Sequence, residues 1–189
     1  MLTPIPYWFL RHGETDWNAQ GLTQGNVEVP LNATGLAQAH AAGALLKGRG
    51  ICTVVASTLG RARETAAIVA DAIGLDFSTD PGLREASFGT REGQAMGTWF
   101  EDWVRGDYKA PGGESFTELR ARVAEAANRV LARPGPILIV GHGGMFRALR
   151  AEMGLSAGTR TANGVPLFCT PGHPAWVVIQ GSSEANRSP

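Results

Sequence analysis

The chain alternates short uninterrupted apolar runs with longer segments in which apolar residues recur every three or four positions. The runs predict buried strands at 7–10, 53–57 and 137–140 and late strands at 165–168 and 176–179. The helical spacing predicts helices at 34–47, 59–73, 96–104, 115–132 and 145–153. Glycines or prolines follow most of these segments and end them.

Strands that alternate with helices predict an α/β fold. The expected architecture is a single-domain three-layer sandwich, with a mostly parallel central sheet flanked by helices on both faces. The chain has 189 residues, which suits one domain, predicted to span 1–180 and to be followed by a polar, flexible tail at 181–189. Because such sheets bind ligands beyond the carboxyl ends of their strands, candidate chemistry is expected there.

Charge and cysteine content narrow the possible partners. Lys+Arg and Asp+Glu number 17 each, and the resulting net charge of zero argues against binding to nucleic acid or to a membrane surface. Cys52 and Cys169 are far apart in the sequence, as expected for reduced thiols. The amino-terminal segment has the wrong composition for a signal peptide. No stretch is long enough to span a bilayer. The sequence therefore predicts a cytoplasmic protein.

Two predicted strands end in a histidine. Arg11-His12-Gly13-Glu14-Thr15 follows the first strand, and Gly141-His142-Gly143-Gly144 follows the third. Two imidazoles at the carboxyl ends of two buried strands, one of them beside an arginine, indicate a shared pocket for an anion. Taken singly, the first segment favours a capped strand end with a satisfied histidine. The second favours a functional histidine even by itself, and a tight strand-to-helix turn is the competing account.

Two further segments contain side chains that suit phosphate chemistry. Ser57 to Ala66 begins a helix with Arg61, so backbone N–H groups and a guanidinium can point the same way. Leu83 to Gly93 contains Glu85 in an irregular region, where a carboxyl group can serve as a general acid. Solvated arginines and an ordinary surface loop are the competing interpretations of these two segments.

The combination resembles the histidine phosphatase superfamily, also called the phosphoglycerate mutase-like family. The matching motifs cover roughly residues 7 to 150 in the family's order: R-H-G-E-T with Asn18 after it, Gln24-Gly25, Pro30-Leu31, S-x-L-x-R-A-x-E-T-A from Ser57, L-x-E-x-x-F-G-x-x-E-G from Leu83, G-G-E-S at 112–115 and G-H-G-G. Two positions depart from the family's pattern. Leu22 stands where an arginine is common and Glu28 where an aspartate is common.

The resemblance implies phosphoryl transfer through a phosphohistidine on His12. Arg11, Arg61 and His142 would hold the phosphoryl oxygens, and the two arginines would lower the pKa of His12. Glu85 would protonate the leaving group and then accept a proton from water. Further phosphate contacts implied by motif position are Thr15, Asn18, Gln24, Gly25 and Gly143. No metal or other cofactor is expected, since the four histidines lack metal-ligand spacing.

Within this family the sequence favours a phosphatase that hydrolyses a small phosphomonoester. Family mutases carry a longer insertion after the acid, whereas only 26 residues separate Glu85 from Gly112 here. A 2,3-bisphosphoglycerate-dependent phosphoglycerate mutase is the alternative enzyme, and a non-catalytic phospholigand-binding relative is the alternative outside catalysis. The natural substrate, any weak mutase activity and the oligomeric state are left open.

Two further features have more than one interpretation. Trp99, Phe100 and Trp103, with Met96, form a stripe at helical spacing that either packs on the body of the protein or covers the site. Packing is the favoured account. Asn163 either shapes the pocket or belongs to a plain turn, and the turn is favoured.

Overall fold

A computed structural model describes residues 1–173 and 175–181 of the chain. Six strands form one sheet in the order β3-β2-β4-β1-β5-β6. The strands are β1 (Tyr7–Arg11), β2 (Thr53–Ala56), β3 (Ser78–Thr79), β4 (Ile137–Gly141), β5 (Pro166–Thr170) and β6 (Val177–Gln180). The first four run parallel, whereas β5 is antiparallel to β1 and β6 is antiparallel to β5.

Helices connect the parallel strands. They are α1 (Asp16–Ala19), α2 (Ala33–Leu46), α3 (Gly60–Ile73), α4 (Thr98–Arg105), α5 (Phe116–Leu131) and α6 (Gly143–Glu152). Short 3-10 turns at Pro81–Leu83 and Gly89–Arg91 interrupt the segment between β3 and α4. No helix within the described ranges is both long enough and apolar enough to cross a membrane.

The central strands bury both of their faces. Along β1, Trp8 and Leu10 pack with the apolar residues of α2 and α3, whereas Phe9 lies on the opposite face and stacks on Phe146 of α6. The same alternation along β4 places Ile139 with Phe9 and Val140 with Leu10. Strands buried on both sides give continuous apolar runs. The predicted three-layer α/β sandwich with a mostly parallel sheet is confirmed.

The structure differs from the sequence prediction in three places. Helix α1 lies in a stretch predicted to be loop from Asn18 onward, because Thr15 and Asn18 form a capping box that stabilises a single turn. Strand β5 continues to Thr170, two residues beyond its predicted end, through the buried Cys169. Strand β3, only two residues long, shows no detectable periodicity. Residues 182–189 of the predicted tail lie outside the described residues.

Candidate active site

The pairing of β1 with β4 brings the two histidines together. Arg11 is in register with Gly141, and the N–H of His12 donates to the carbonyl of Gly141 at 2.9 Å. His12 and His142 therefore leave the sheet side by side, with their ring centroids 5.2 Å apart. Both side chains are buried.

The hydrogen bonds of His12 determine which ring nitrogen is available for chemistry. Nδ1 lies 2.7 Å from the carbonyl oxygen of Gly13, an atom that can only accept, so the ring hydrogen is assigned to Nδ1. Nε2 then carries the lone pair. The Nε–H of Arg61 points at this lone pair from 3.3 Å. A neutral imidazole with an available Nε2 lone pair is a nucleophile.

Arg61 is held in place by backbone carbonyls. Its Nη1 donates to Val27 at 2.9 Å and its Nη2 donates to Gly25 at 2.7 Å, both from the loop before α2. The hydroxyl of Thr65 donates to the carbonyl of Arg61 and accepts the N–H of Gly13, which ties α3 to the turn after β1. Arg61 is only 1% exposed. Its guanidinium therefore faces His12 and not solvent.

Burial and positive charge act together on His12. Burial is the largest cause that holds the pKa of His12 well below its ordinary value, and Arg61 and Arg11 lower it further. The direction agrees with the sequence prediction, which attributed it to the arginines alone. In both accounts the imidazole stays neutral near pH 7.

His142 is oriented by a serine at the end of β2. Its Nε2 lies 2.7 Å from the hydroxyl oxygen of Ser57, which already accepts the N–H of Leu59. The hydroxyl of Ser57 can donate its hydrogen to Nε2, and in that arrangement the ring hydrogen of His142 is on Nδ1. Nδ1 is buried and has no hydrogen-bond partner among the described residues. An unsatisfied buried donor beside His12 is suited to an oxygen of a bound anion.

Arg11 crosses the end of β1 toward the loop before β5. Its Nη1 donates to the carbonyl of Thr161 at 2.6 Å, while its Nε is buried without a partner among the described residues. Burial lowers the pKa of Arg11 to about 10, with Arg160 and Arg61 adding to the effect and Glu85 opposing it. A Cβ on Gly143 would lie 3.4 Å from the guanidinium carbon of Arg11, in ordinary contact.

Glu85 reaches the same pocket from the irregular segment after β3. Its carboxylate accepts N–H bonds from Gly144 and Met145, both at 2.8 Å, in the first turn of α6, and one from Ala86 at 3.0 Å. The positive end of a helix favours a carboxylate there. A Cβ on Gly144 would lie 2.7 Å from Oε1 of Glu85. The last glycine of G-H-G-G is thus what lets the carboxylate approach.

A half-buried ion pair holds the segment that carries Glu85. Arg122 of α5 donates to the carbonyls of Gly82 and Arg84 at 3.0 Å and to that of Glu85 at 3.3 Å. Glu114 pairs with Arg122 through both oxygens, at 2.6 and 2.9 Å. This contact explains the glutamate of G-G-E-S, while the serine of that motif caps α5. The sequence analysis did not identify Arg122, because on a helix it is indistinguishable from a solvated arginine.

Most of the predicted site residues line one cavity. Those that do are Arg11, His12, Asn18, Gln24, Gly25, Arg61, Glu85 and Gly143. His142 lies against His12 beneath this lining, and Thr15 is fully buried as the cap of α1. Asn163 is a positioning residue, and not merely part of a turn, because it donates to the carbonyl of His12 at 2.9 Å and to Oδ1 of Asn18 at 3.1 Å.

Comparison with known proteins agrees with this geometry. A sequence model described as histidine phosphatase superfamily (branch 1) matches residues 7–164. This chain belongs to the histidine phosphatase superfamily. A probable phosphoglycerate mutase GpmB of Yersinia pestis (strain Pestoides F) is 39% identical over 150 residues, which cover 74% of this chain and 70% of that protein.

Two similar solved structures are of proteins that are named as phosphatases. One is a mycobacterial glucosyl-3-phosphoglycerate phosphatase in complex with VO3, with a TM-score of 0.80, 28% identity and coverage of 95% of this chain and 100% of that one. The other is a putative alpha-ribazole-5'-P phosphatase from Escherichia coli str. K-12 substr. MG1655, with a TM-score of 0.80, 27% identity and coverage of 96% and 97%. The histidine phosphatase fold thus extends over nearly the whole chain.

The aromatic stripe at Trp99, Phe100 and Trp103, with Met96, both packs and lines the site. Trp103 is 1% exposed, contacts the rings of Phe88 and Phe116, and donates to the carbonyl of Glu114 at 2.8 Å. Phe100 and the exposed Met96 line the active-site cavity. The favoured packing account therefore holds for Trp103, and the covering account holds for Phe100.

The two buried histidines predict a loss of stability on mild acidification. Burial is the main cause that lowers the pKa of both His12 and His142 below the ordinary value of about 6.5. Below that pH the unfolded chain takes up protons that the folded protein does not. The contribution of the two histidines to the free energy of unfolding is at its full value above pH 6.5. As the pH falls below 6.5, the free energy of unfolding should decrease by about 1.4 kcal/mol per pH unit for each histidine.

Urea unfolding at pH 7.5, 6.5 and 5.5 and constant ionic strength measures this effect. The slope between pH 6.5 and 5.5 should drop by about half in His12→Asn, which retains one of the two buried rings. An unchanged free energy of unfolding across this interval in the wild-type protein would contradict the prediction.

Proposed function

We propose that this protein is a phosphomonoesterase that needs no metal ion and transfers the phosphoryl group of a small metabolite first to His12 and then to water. The observation that carries the proposal is the lone pair on Nε2 of His12. It faces Arg61 in a cavity that a carboxyl group, Glu85, also lines. A nucleophile, an anion cradle and a candidate acid thus meet at one point.

In the first step Nε2 of His12 attacks phosphorus and the bond from phosphorus to the ester oxygen breaks. The leaving oxygen takes a proton from Glu85 and departs as an alcohol. The phosphoryl oxygens keep their negative charge throughout and need fixed donors. Arg11, Arg61 and Nδ1 of His142 supply these, and Arg61 exchanges its bond to Nε2 for one to a phosphoryl oxygen.

In the second step water attacks the phosphohistidine. The phosphorus–nitrogen bond breaks, Glu85 takes a proton from the water, and inorganic phosphate leaves. The bond from Nδ1 of His12 to Gly13 stabilises positive charge on the ring while the phosphoryl group is attached, because that hydrogen bond strengthens as the ring gains charge. His12 and Glu85 are then in the protonation states in which they began the reaction.

A phosphoglycerate mutase is the second candidate, favoured by the 39% identity to a protein named as a probable mutase. Both enzymes form the same phosphohistidine, and they differ in whether the phosphoryl group passes to water or back to a second hydroxyl. The short segment between Glu85 and Gly112 supports hydrolysis. It leaves less chain to cover the pocket and exclude water.

Phosphate release and isomerisation can be measured on the same preparation. We expect release of inorganic phosphate from p-nitrophenyl phosphate and from members of a panel of phosphorylated metabolites. Isomerisation of 3-phosphoglycerate should be slow and should not be stimulated by 2,3-bisphosphoglycerate. Efficient isomerisation that depends on the bisphosphate would establish the mutase instead. Absence of both activities would favour the non-catalytic role in phospholigand binding.

A further inference from the structure

The active-site cavity contains more positive charge than a phosphoryl group requires. Four arginines line it, namely Arg11, Arg61, Arg147 and Arg160, against the single carboxylate of Glu85. Within residues 1–173 and 175–181, none of the four makes an ion pair. A phosphate monoester balances about two of these charges, so the pocket of a chain with zero net charge holds unbalanced cations.

Two of the four arginines, Arg147 and Arg160, also line a second groove, which His12 does not line. This groove adjoins the active-site cavity and shares Phe100 and Met96 with it. The volume of the groove is about 720 Å3 and that of the active-site cavity about 120 Å3, so the two together have room for a ligand larger than a phosphoryl group. Glu101 and Arg105 at the far side of the groove bring opposite charges, and Arg105 is paired with Asp102 and Asp107.

The segment before β5 is held so that Arg160 stays near the cavity. Nη1 of Arg147 donates to the carbonyl of Ala157, and Nη1 of Arg11 donates to the carbonyl of Thr161, both at 2.6 Å. Arg160 lies between these two anchors. Arg147 in turn lies over the ring of Phe100, with 5.2 Å between the guanidinium carbon and the ring centroid.

Three guanidinium groups in one place repel one another when no anion is bound. Burial is the main cause that lowers the pKa of Arg147, Glu85 opposes it, and Arg160 and Arg150 lower the pKa further. The pKa of Arg11 is lowered by Arg160 as well as by burial. An anion placed among the three would relieve this repulsion and gain charge-assisted hydrogen bonds.

We propose that Arg147 and Arg160 form a second anion subsite, which selects phosphomonoesters that carry another negatively charged group on the same carbon skeleton. The inference rests on the proposed function, since it places the scissile phosphate at His12. Met96 and Phe100 provide an apolar wall between the two anionic ends. The shared chemistry is a carboxylate or a second phosphate, and neutral sugar phosphates and aryl phosphates lack it.

Matched pairs of esters test this selectivity. 3-Phosphoglycerate and glycerol 3-phosphate differ in a carboxylate that replaces a hydroxymethyl group, and fructose 1,6-bisphosphate and fructose 6-phosphate differ in a second phosphate. We expect wild-type kcat/KM to be about tenfold or more higher for the charged member of at least one pair. The pair that shows the preference identifies which anion the subsite takes.

Arg160→Gln is the decisive variant, because Arg160 is exposed and its loss leaves the two anchors intact. It should remove most of the preference through KM, because kcat/KM falls much more for the charged member of a pair than for its uncharged counterpart. Arg150→Gln is the matched control. Arg150 lies on α6, as Arg147 does, and donates to Ser156 and Thr159 in the segment before β5. It does not line the cavity.

Binding to His12→Asn separates this inference from the proposed function. Calorimetric titration of that variant with 3-phosphoglycerate and glycerol 3-phosphate needs no turnover. If the wild-type protein released no phosphate, but His12→Asn bound the charged ligand more tightly and lost this preference with Arg160→Gln, the subsite would be supported and the proposed phosphatase function would be wrong. Phosphate release with equal losses for both members of each pair, or with no preference in the wild-type protein, would overturn the subsite and leave the enzyme.

Discussion

Replacement of His12 by alanine is expected to lower kcat for phosphate release by at least about a thousandfold, because it removes the atom that forms the covalent bond. No other imidazole can take its place. Nε2 of His142 is engaged with Ser57, and His142 is not among the described residues that line the cavity. Phosphate release from p-nitrophenyl phosphate measures the loss, since this ester needs little help from an acid.

His40→Ala is the control for this variant. His40 is exposed on α2, away from the residues that line the cavity, and its removal should leave kcat unchanged. Circular dichroism and thermal unfolding establish that both variants are folded. A His12→Ala protein that keeps more than about a tenth of the wild-type kcat would show that His12 is not the nucleophile.

The covalent intermediate gives a second and independent measurement on the wild-type protein. A phosphohistidine survives alkaline quenching and is lost in acid, which distinguishes it from a phosphoserine. Rapid alkaline denaturation during turnover should therefore trap one phosphoryl group, and peptide mapping should place it on His12. A phosphoryl group trapped on another residue would show that His12 is not the nucleophile, even if His12→Ala were inactive.

The meeting of His12 and His142 is predictable because it depends on apolar periodicity. Buried runs at 7–10 and 137–140 predict parallel strands, and the carboxyl ends of neighbouring parallel strands lie at one edge of a sheet. His12 and His142, two residues beyond the ends of these runs, are then expected at the same edge. What the sequence does not reveal is that β4 lies between β2 and β1, which also brings Ser57 against His142.

The supports of the catalytic side chains are much harder to predict. Arg61 and Arg11 are held by carbonyls of Gly25, Val27 and Thr161, and a backbone carbonyl is present at every position of a chain. Asn163 likewise binds the carbonyl of a residue 151 positions earlier. No pattern of residue types marks such contacts, so only the folded chain identifies them.

Glu92 illustrates how a motif can be matched without its role being understood. The E-G pair of the segment from Leu83 predicts only membership in the family. In the structure Oε1 of Glu92 accepts N–H bonds from Asn26 at 3.1 Å and from Phe88 at 3.0 Å. It thereby joins the loop that holds Arg61 to the segment that carries Glu85, and so fixes the nucleophile's partner relative to the acid.

Glu85→Gln is expected to lower kcat/KM for an alkyl phosphate by about a hundredfold to ten thousandfold, but to lower it much less for p-nitrophenyl phosphate. An alkoxide is a poor leaving group unless it is protonated as the bond breaks, and glutamine has no proton to give. The p-nitrophenolate anion is stable at neutral pH and leaves without that proton. The ratio of the two losses therefore isolates proton transfer from every other effect of the substitution.

That ratio is needed because Glu85 also has a structural role. Its two oxygens accept N–H bonds from Gly144, Met145 and Ala86, and a glutamine has one acceptor oxygen where the carboxylate has two. A donor of α6 left unpaired should destabilise the fold by about 1 to 3 kcal/mol, which urea unfolding detects. Both esters are assayed on the same variant, so this loss cancels in their comparison, and Glu64→Gln, an exposed carboxylate on α3, should leave the ratio unchanged. Equal losses for the two esters would mean that Glu85 positions the pocket and that the proton comes from another group.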